Sequence, residues 1–132
     1  MFYGPHVDIS LIEGKRRDLS FTIFLNDKKD YNGGELILYI PPEKRTIKLN
    51  AGDIIIYPTK YIHEVKEVTD GERMVCVGWI QSEINNDDDR DLLSILKNSI
   101  GEITNNPNNN SSIKLNLNSA LNRLHKRFTN LS

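Results

Sequence analysis

Gly33-Gly34-Glu35-Leu36-Ile37-Leu38-Tyr39-Ile40-Pro41-Pro42 is the stretch that decides the fold. The glycine pair permits a tight turn, because neither residue carries a Cβ. Glu35 to Ile40 then reads as a strand. The two prolines stop it, since proline donates nothing to a ladder. The same rhythm runs outward in both directions. Upstream, Leu19 to Leu25 is β-branched and aromatic, and the polar run Asn26 to Asn32 separates it from the glycines. Downstream, Arg45 to Leu49, Asp53 to Tyr57, Ile62 to Val68 and Arg73 to Ile80 read as further strands. Turns at Asn50-Ala51-Gly52-Asp53, at Pro58 and at Thr69-Asp70-Gly71-Glu72 punctuate them. Short strands at this spacing predict an antiparallel sandwich or barrel.

Beyond residue 82 the period changes. Asn86 or Asp87 can cap a helix whose acidic first turn, Asp87-Asp88-Asp89, suits the amino end of the helix dipole. Leu92, Leu93, Leu96, Ile100 and Ile103 stripe it at helical spacing. An Asn-rich loop is expected at about residues 104–112. A last helix follows, striped by Leu117, Leu121, Leu124 and Phe128, with Arg123, His125, Lys126 and Arg127 on other faces. Residues 1–82 are therefore expected to form the β core and 83–132 a helical region. Both helices are expected to be scaffold.

The 132 residues are 38% hydrophobic and 27% charged with a net charge of −1, the composition of a soluble globular protein. No field of one sign points to nucleic acid or to an anionic membrane. No apolar run reaches the ~20 residues that span a bilayer. The amino end lacks the basic start and apolar stretch of a signal peptide. A single cysteine, Cys76, excludes an internal disulfide and fits a reducing cytoplasm. Cys76 alternates with apolar neighbours and is expected to be a buried packing thiol. Trp79 is expected in the core.

Chemistry concentrates in two short pieces. Tyr3-Gly4-Pro5-His6-Val7-Asp8 contains His-x-Asp, and Tyr61-Ile62-His63 supplies a distant His. In a strand, residues two apart face one way, so His6 and Asp8 project together, and Pro5 excludes helix there. His63 must come from a neighbouring strand. Two imidazoles and one carboxylate form the face that holds non-haem Fe(II) and leaves positions open for a bidentate oxo acid and O2. Ten residues after His63 comes Arg73. It is expected to open the last strand, sharing the inner face with Val75, Val77 and Trp79. A guanidinium there needs an anionic partner, and a dicarboxylate supplies one. The ordered set outlines an oxygenase using iron and 2-oxoglutarate.

The chain resembles the PKHD-type hydroxylases, relatives of the prolyl and lysyl hydroxylases in the Fe(II)- and 2-oxoglutarate-dependent oxygenase superfamily. The resemblance is carried by Tyr3-Gly4-Pro5-His6-Val7-Asp8, Asp18-Leu19-Ser20, Phe24-Leu25, Tyr31-Asn32-Gly33-Gly34-Glu35-Leu36, Ala51-Gly52-Asp53, Tyr57-Pro58, His63 with Arg73, and Trp79-Ile80-Gln81-Ser82. It implies a double-stranded β-helix, or jelly roll, with carboxy-terminal helices. It implies His6, Asp8 and His63 as iron ligands and Arg73 as the residue gripping the far carboxylate of 2-oxoglutarate. It also implies hydroxylation of a C–H bond with release of succinate and CO2, and ascorbate to keep the iron reduced. Related halogenases carry a small residue where Asp8 stands, so Asp8 favours hydroxylation. Relatives often add a Tyr or Thr on the strand after the motif to hold the oxo acid. Thr22 or Ser20 is the candidate here. The prime substrate is a small molecule or a peptidyl residue.

Family members carry a substantial region before His-x-Asp, so the resemblance implies a jelly roll lacking its usual amino-terminal part, whether as a fragment or as a short form. Phe2, Tyr3 or Val7 should then be exposed, or covered by another chain such as a second copy. Two other classes compete with the hydroxylase. One is a truncated, non-catalytic jelly-roll module that binds metal or ligand. The other is a cupin-type metalloenzyme, against which Arg73 argues.

Overall fold

The computed structural model describes residues 2–108 and 110–129. The strands are Tyr3–His6 (β1), Leu11–Ile12 (β2), Lys15–Arg16 (β3), Leu19–Phe24 (β4), Tyr31–Gly33 (β5), Leu36–Ile40 (β6), Glu43–Ile47 (β7), Ile54–Pro58 (β8), Ile62–Val65 (β9), Val68–Gly71 (β10) and Val75–Ile80 (β11). The helices are Asp87–Thr104 (α1) and Ser111–Phe128 (α2). The chain divides into two compact units, residues 1–82 and 83–132.

The first unit is built from antiparallel sheets. One has the strand order β1-β9-β6-β7 and another the order β11-β4-β8. A pair, β10-β5, and the small hairpin β2-β3 complete it. This is the two-sheet arrangement of a jelly roll. Alternation decides which residues meet. In β4, Ser20, Thr22 and Phe24 are buried while their neighbours are only half-buried. Leu36 and Leu38 from β6 pack against Tyr57 from β8, with Ile40, Ile47, Ile55 and Val65 around them. Leu38 is among the most deeply buried side chains. Leu38→Ala should cost about 2–5 kcal/mol through lost contacts and a residual cavity. Urea unfolding followed by circular dichroism would read that as a lower midpoint with an unchanged slope.

The strands at 19–25, 35–40, 53–57 and 62–68 lie close to where their sequence predicts them, and three details differ. Pro41-Pro42 stops β6, but the next strand begins at once. Ile40 pairs with Glu43 around a two-residue turn, so β7 is Glu43–Ile47 and not Arg45 to Leu49. Second, the turn expected at Thr69 to Glu72 is largely strand, since Asp70 pairs with Asn32 and Gly71 with Tyr31. Gly71 has φ +75°, and a Cβ there would strike the Asp30 carbonyl and Tyr31. The left-handed φ and the close backbone approach together call for glycine at this position. Third, Cys76 is exposed, not buried. It lies across from Ile23, which pairs with Ile54, on the outer face of the three-stranded sheet. Ile54 there is 49% and Ile56 48% exposed. Alternation puts Cys76 on an apolar face, but that face is not covered.

In the second unit, Asn86 caps α1 by accepting hydrogen bonds from the amides of Asp88 (2.8 Å) and Asp89 (3.1 Å). The acidic run is therefore helix-start chemistry. Of the predicted α1 stripe, Leu93 and Ile100 are buried, while Leu92, Leu96 and Ile103 are exposed. The α2 stripe of Leu117, Leu121, Leu124 and Phe128 is half-buried throughout, and the two helices pack together. His125 is exposed in the last turn of α2. No helix among the described residues is long and apolar enough to cross a membrane.

Candidate metal centre

His6 and His63 face each other across adjacent strands. They are register partners in the β1–β9 ladder, and their ring centroids are 4.3 Å apart. Asp8 lies two residues past the end of β1 and turns back toward both. Its Oδ1 is 3.4 Å from His6 Nε2 and 3.6 Å from His63 Nε2. One ligand atom from each of the three side chains lies within 4.8 Å of the others. His63 is buried, while His6 and Asp8 are half-buried.

Backbone carbonyls orient both rings. His6 Nδ1 is 2.7 Å from the Gly4 carbonyl, and His63 Nδ1 is 3.2 Å from the Tyr61 carbonyl. A carbonyl oxygen can only accept, so each Nδ1 carries the proton in these bonds. Each Nε2 lone pair is left facing Asp8, the arrangement that ligating imidazoles adopt. The other Asp8 oxygen, Oδ2, is tied back. Trp79 Nε1–H donates to it at 3.0 Å and the Ser20 hydroxyl at 3.5 Å. Ser20 and Thr59, both buried, share a hydrogen bond of 3.0 Å.

His6, Asp8, Ser20, His63 and Trp79 line a cavity of 340 Å³ between the two larger sheets. Thr22, Tyr57 and Arg73 share it, together with the apolar Leu36, Val65, Val75 and Val77. Arg73 does not open the last strand as expected. It sits in the connection just before β11, yet it reaches the cavity that Val75, Val77 and Trp79 line. Gly34 makes room for it. That residue has φ +69°, and a Cβ there would come within 3.0 Å of Arg73 Cδ and of the Tyr31 ring.

The electrostatics around Arg73 are incomplete. Its Nε and the Tyr31 hydroxyl are buried without a well-formed hydrogen bond. Burial lowers the proton affinity of the guanidinium, and the nearby Tyr31 and Tyr57 oppose that shift. The Tyr57 phenol is pushed up to about 12, first by burial and then by the Asp8 carboxylate, with Arg73 pulling the other way. It therefore stays a protonated donor at neutral pH. A half-buried guanidinium whose Nε–H is buried without a partner, beside protonated phenols, suits an anionic ligand.

Thr22 is buried on the cavity wall, as is Ser20, whose hydroxyl is engaged by Asp8 and Thr59. Trp79, expected in the core, is 39% exposed. Its ring lines the cavity, and the Arg17 guanidinium stacks 3.7 Å from its centroid. Tyr31 and Tyr57 fall within motifs of the sequence that carry no assigned role in the reading above. Their place beside Arg73 depends on strand pairing that residue spacing does not encode. Phe2, Tyr3 and Val7 are 62%, 57% and 50% exposed, as expected.

Comparison with known proteins follows the same residues. Residues 1–81 match the family described as the 2OG-Fe(II) oxygenase superfamily. A PKHD-type hydroxylase of Prochlorococcus marinus strain NATL1A is 54% identical over 91 residues, covering 69% of this chain and 41% of the relative. A PKHD-type hydroxylase of Maricaulis maris strain MCS10 is 50% identical over 93 residues, covering 70% and 42%. Among solved structures, a Pseudomonas putida prolyl-4-hydroxylase superposes with a TM-score of 0.50 at 25% identity, over 61% of this chain and 44% of that one. The chain thus spans about two fifths of the length of the curated relatives it matches.

Proposed function

Because the chain belongs to the 2OG-Fe(II) oxygenase superfamily, we propose that it carries the iron and cosubstrate site of a 2-oxoglutarate-dependent hydroxylase. One observation carries this most directly. Asp8 Oδ1 lies 3.4 and 3.6 Å from two inward-facing imidazole nitrogens, in the cavity that also holds Arg73. The donor set fits Fe(II): two neutral nitrogens, one carboxylate oxygen, and an open side toward the cavity. Bound there, the iron with 2-oxoglutarate and O2 would supply the oxidising power for inserting one oxygen atom into a C–H bond, the other entering succinate as CO2 is released.

The chain's own residues prepare that chemistry. His6, Asp8 and His63 hold the ion. Arg73 offers its planar fork to the distal carboxylate of 2-oxoglutarate, and the Tyr57 phenol and Thr22 hydroxyl lie in the same cavity as further donors. Leu36, Val65, Val75 and Val77 give the walls an apolar character. The substrate is a small molecule or a peptidyl residue, and ascorbate serves to keep the iron reduced. A reducing compartment such as the cytoplasm suits a free exposed thiol at Cys76.

Uncoupled turnover tests the proposal. Fe(II), O2 and 2-oxoglutarate without a prime substrate should yield succinate above the level of an Asp8→Ala control. Metal and 2-oxoglutarate binding with no turnover would instead support the non-catalytic binding module. Failure to bind either metal or 2-oxoglutarate would end both readings.

A further inference from the structure

The Asp8 carboxylate has two oxygens with different fates. Oδ1 faces the imidazoles. Oδ2 accepts from Trp79 Nε1 at 3.0 Å, with Ser20 only at the limit of contact at 3.5 Å. The indole is itself held. The Arg17 guanidinium carbon sits over it, 3.7 Å from the ring centroid, within cation–π distance. Arg17 has no carboxylate partner among the described residues, unlike its neighbour Arg16, which pairs with Asp18. One side of the Trp79 ring is thus loaded by a cation, another part lines the cavity, and its single N–H points at the ligand carboxylate.

On the premise that His6, Asp8 and His63 hold the metal, we infer that Trp79 is a positioning residue for Asp8, clamped in place by Arg17. Its N–H occupies Oδ2 and confines Asp8 to one metal-facing oxygen. That matters because a carboxylate free to use both oxygens would take one of the coordination positions that the oxo acid and O2 require. An indole has a donor and no acceptor, so it can hold a carboxylate oxygen but cannot compete for the metal.

Trp79 is the sole tryptophan, so its N–H can be removed with the ring shape kept. Global replacement of tryptophan by benzothienylalanine puts sulfur where the N–H stands. Trp79→Phe provides a second variant. Both should retain the wild-type far-UV circular dichroism. Mn(II) affinity by isothermal titration should fall ~10–100-fold, the range seen when the partner of a metal ligand is lost. The visible absorption of the Co(II)-loaded protein should also change, because coordination by Asp8 is no longer confined to one oxygen. Arg17→Gln, which keeps the N–H but removes the cation, should give the same spectral change to a smaller degree. Folded variants with wild-type Mn(II) affinity and an unchanged Co(II) spectrum would overturn the role of Trp79 while leaving the triad in place. Wild-type protein that binds neither Mn(II) nor Co(II) would overturn the premise itself.

Discussion

Asp8→Ala should abolish metal binding and leave both larger sheets folded. The carboxylate is the one anionic donor between two neutral imidazoles. Without it, His6 and His63 offer two nitrogens and no charge to a divalent ion. The loss should exceed the ~10–100-fold that follows removal of a ligand's outer partner. Asp8 lies outside the regular strands and is half-buried, so the substitution empties no core position. Isothermal titration with Mn(II), beside thermal unfolding of the metal-free protein, separates the two effects. Asp8→Ala protein that binds Mn(II) like the wild type would remove the triad from the account.

Arg73→Lys should weaken 2-oxoglutarate binding about 10- to 150-fold, from a loss of ~1.5–3 kcal/mol in one charge-assisted pair. Lysine keeps the charge but not the planar fork. It also loses the Nε–H that is buried without a good partner and that a carboxylate oxygen could use. Metal affinity should stay nearly unchanged, because Arg73 donates to no ligand of the triad among the contacts described. Titration of 2-oxoglutarate into anaerobic, Fe(II)-loaded protein reads the difference. Equal affinities in the two proteins would make Arg73 a structural residue and remove the cosubstrate assignment.

The chemistry was more legible than the coverage. His6, Asp8 and His63 stand out because residue type and chain order both constrain a metal face, and β pairing of Tyr3–His6 with Ile62–Val65 brings them together. Cys76 shows where such reasoning stops. A period of two tells which side chains share a face but not whether anything covers that face. Cys76 shares its face with Ile54, and both are exposed. Arg73 shows a second limit. Strand alternation aims its side chain inward only if it is in the strand. In fact a connecting segment delivers it to the cavity, through space that Gly34 leaves free. Trp79 shows a third: an indole in an apolar strand reads as core until its N–H is seen to meet a carboxylate.

The register of β1 has a consequence for folding as well as for chemistry. Among the described residues β1 is an edge strand of four residues that pairs with β9, and its pairing slips between Tyr3 and His6. His6 and His63 are directly opposed at the end of that ladder. An ion held between them as proposed would pin this edge strand to its neighbour and close a long loop of chain at the same time. At a hundredfold excess over its dissociation constant, it would add about 2.7 kcal/mol to the folded state. With the ion held as proposed, its loss should therefore loosen β1 at the wall of the cavity, coupling metal loading to the stability of this unit.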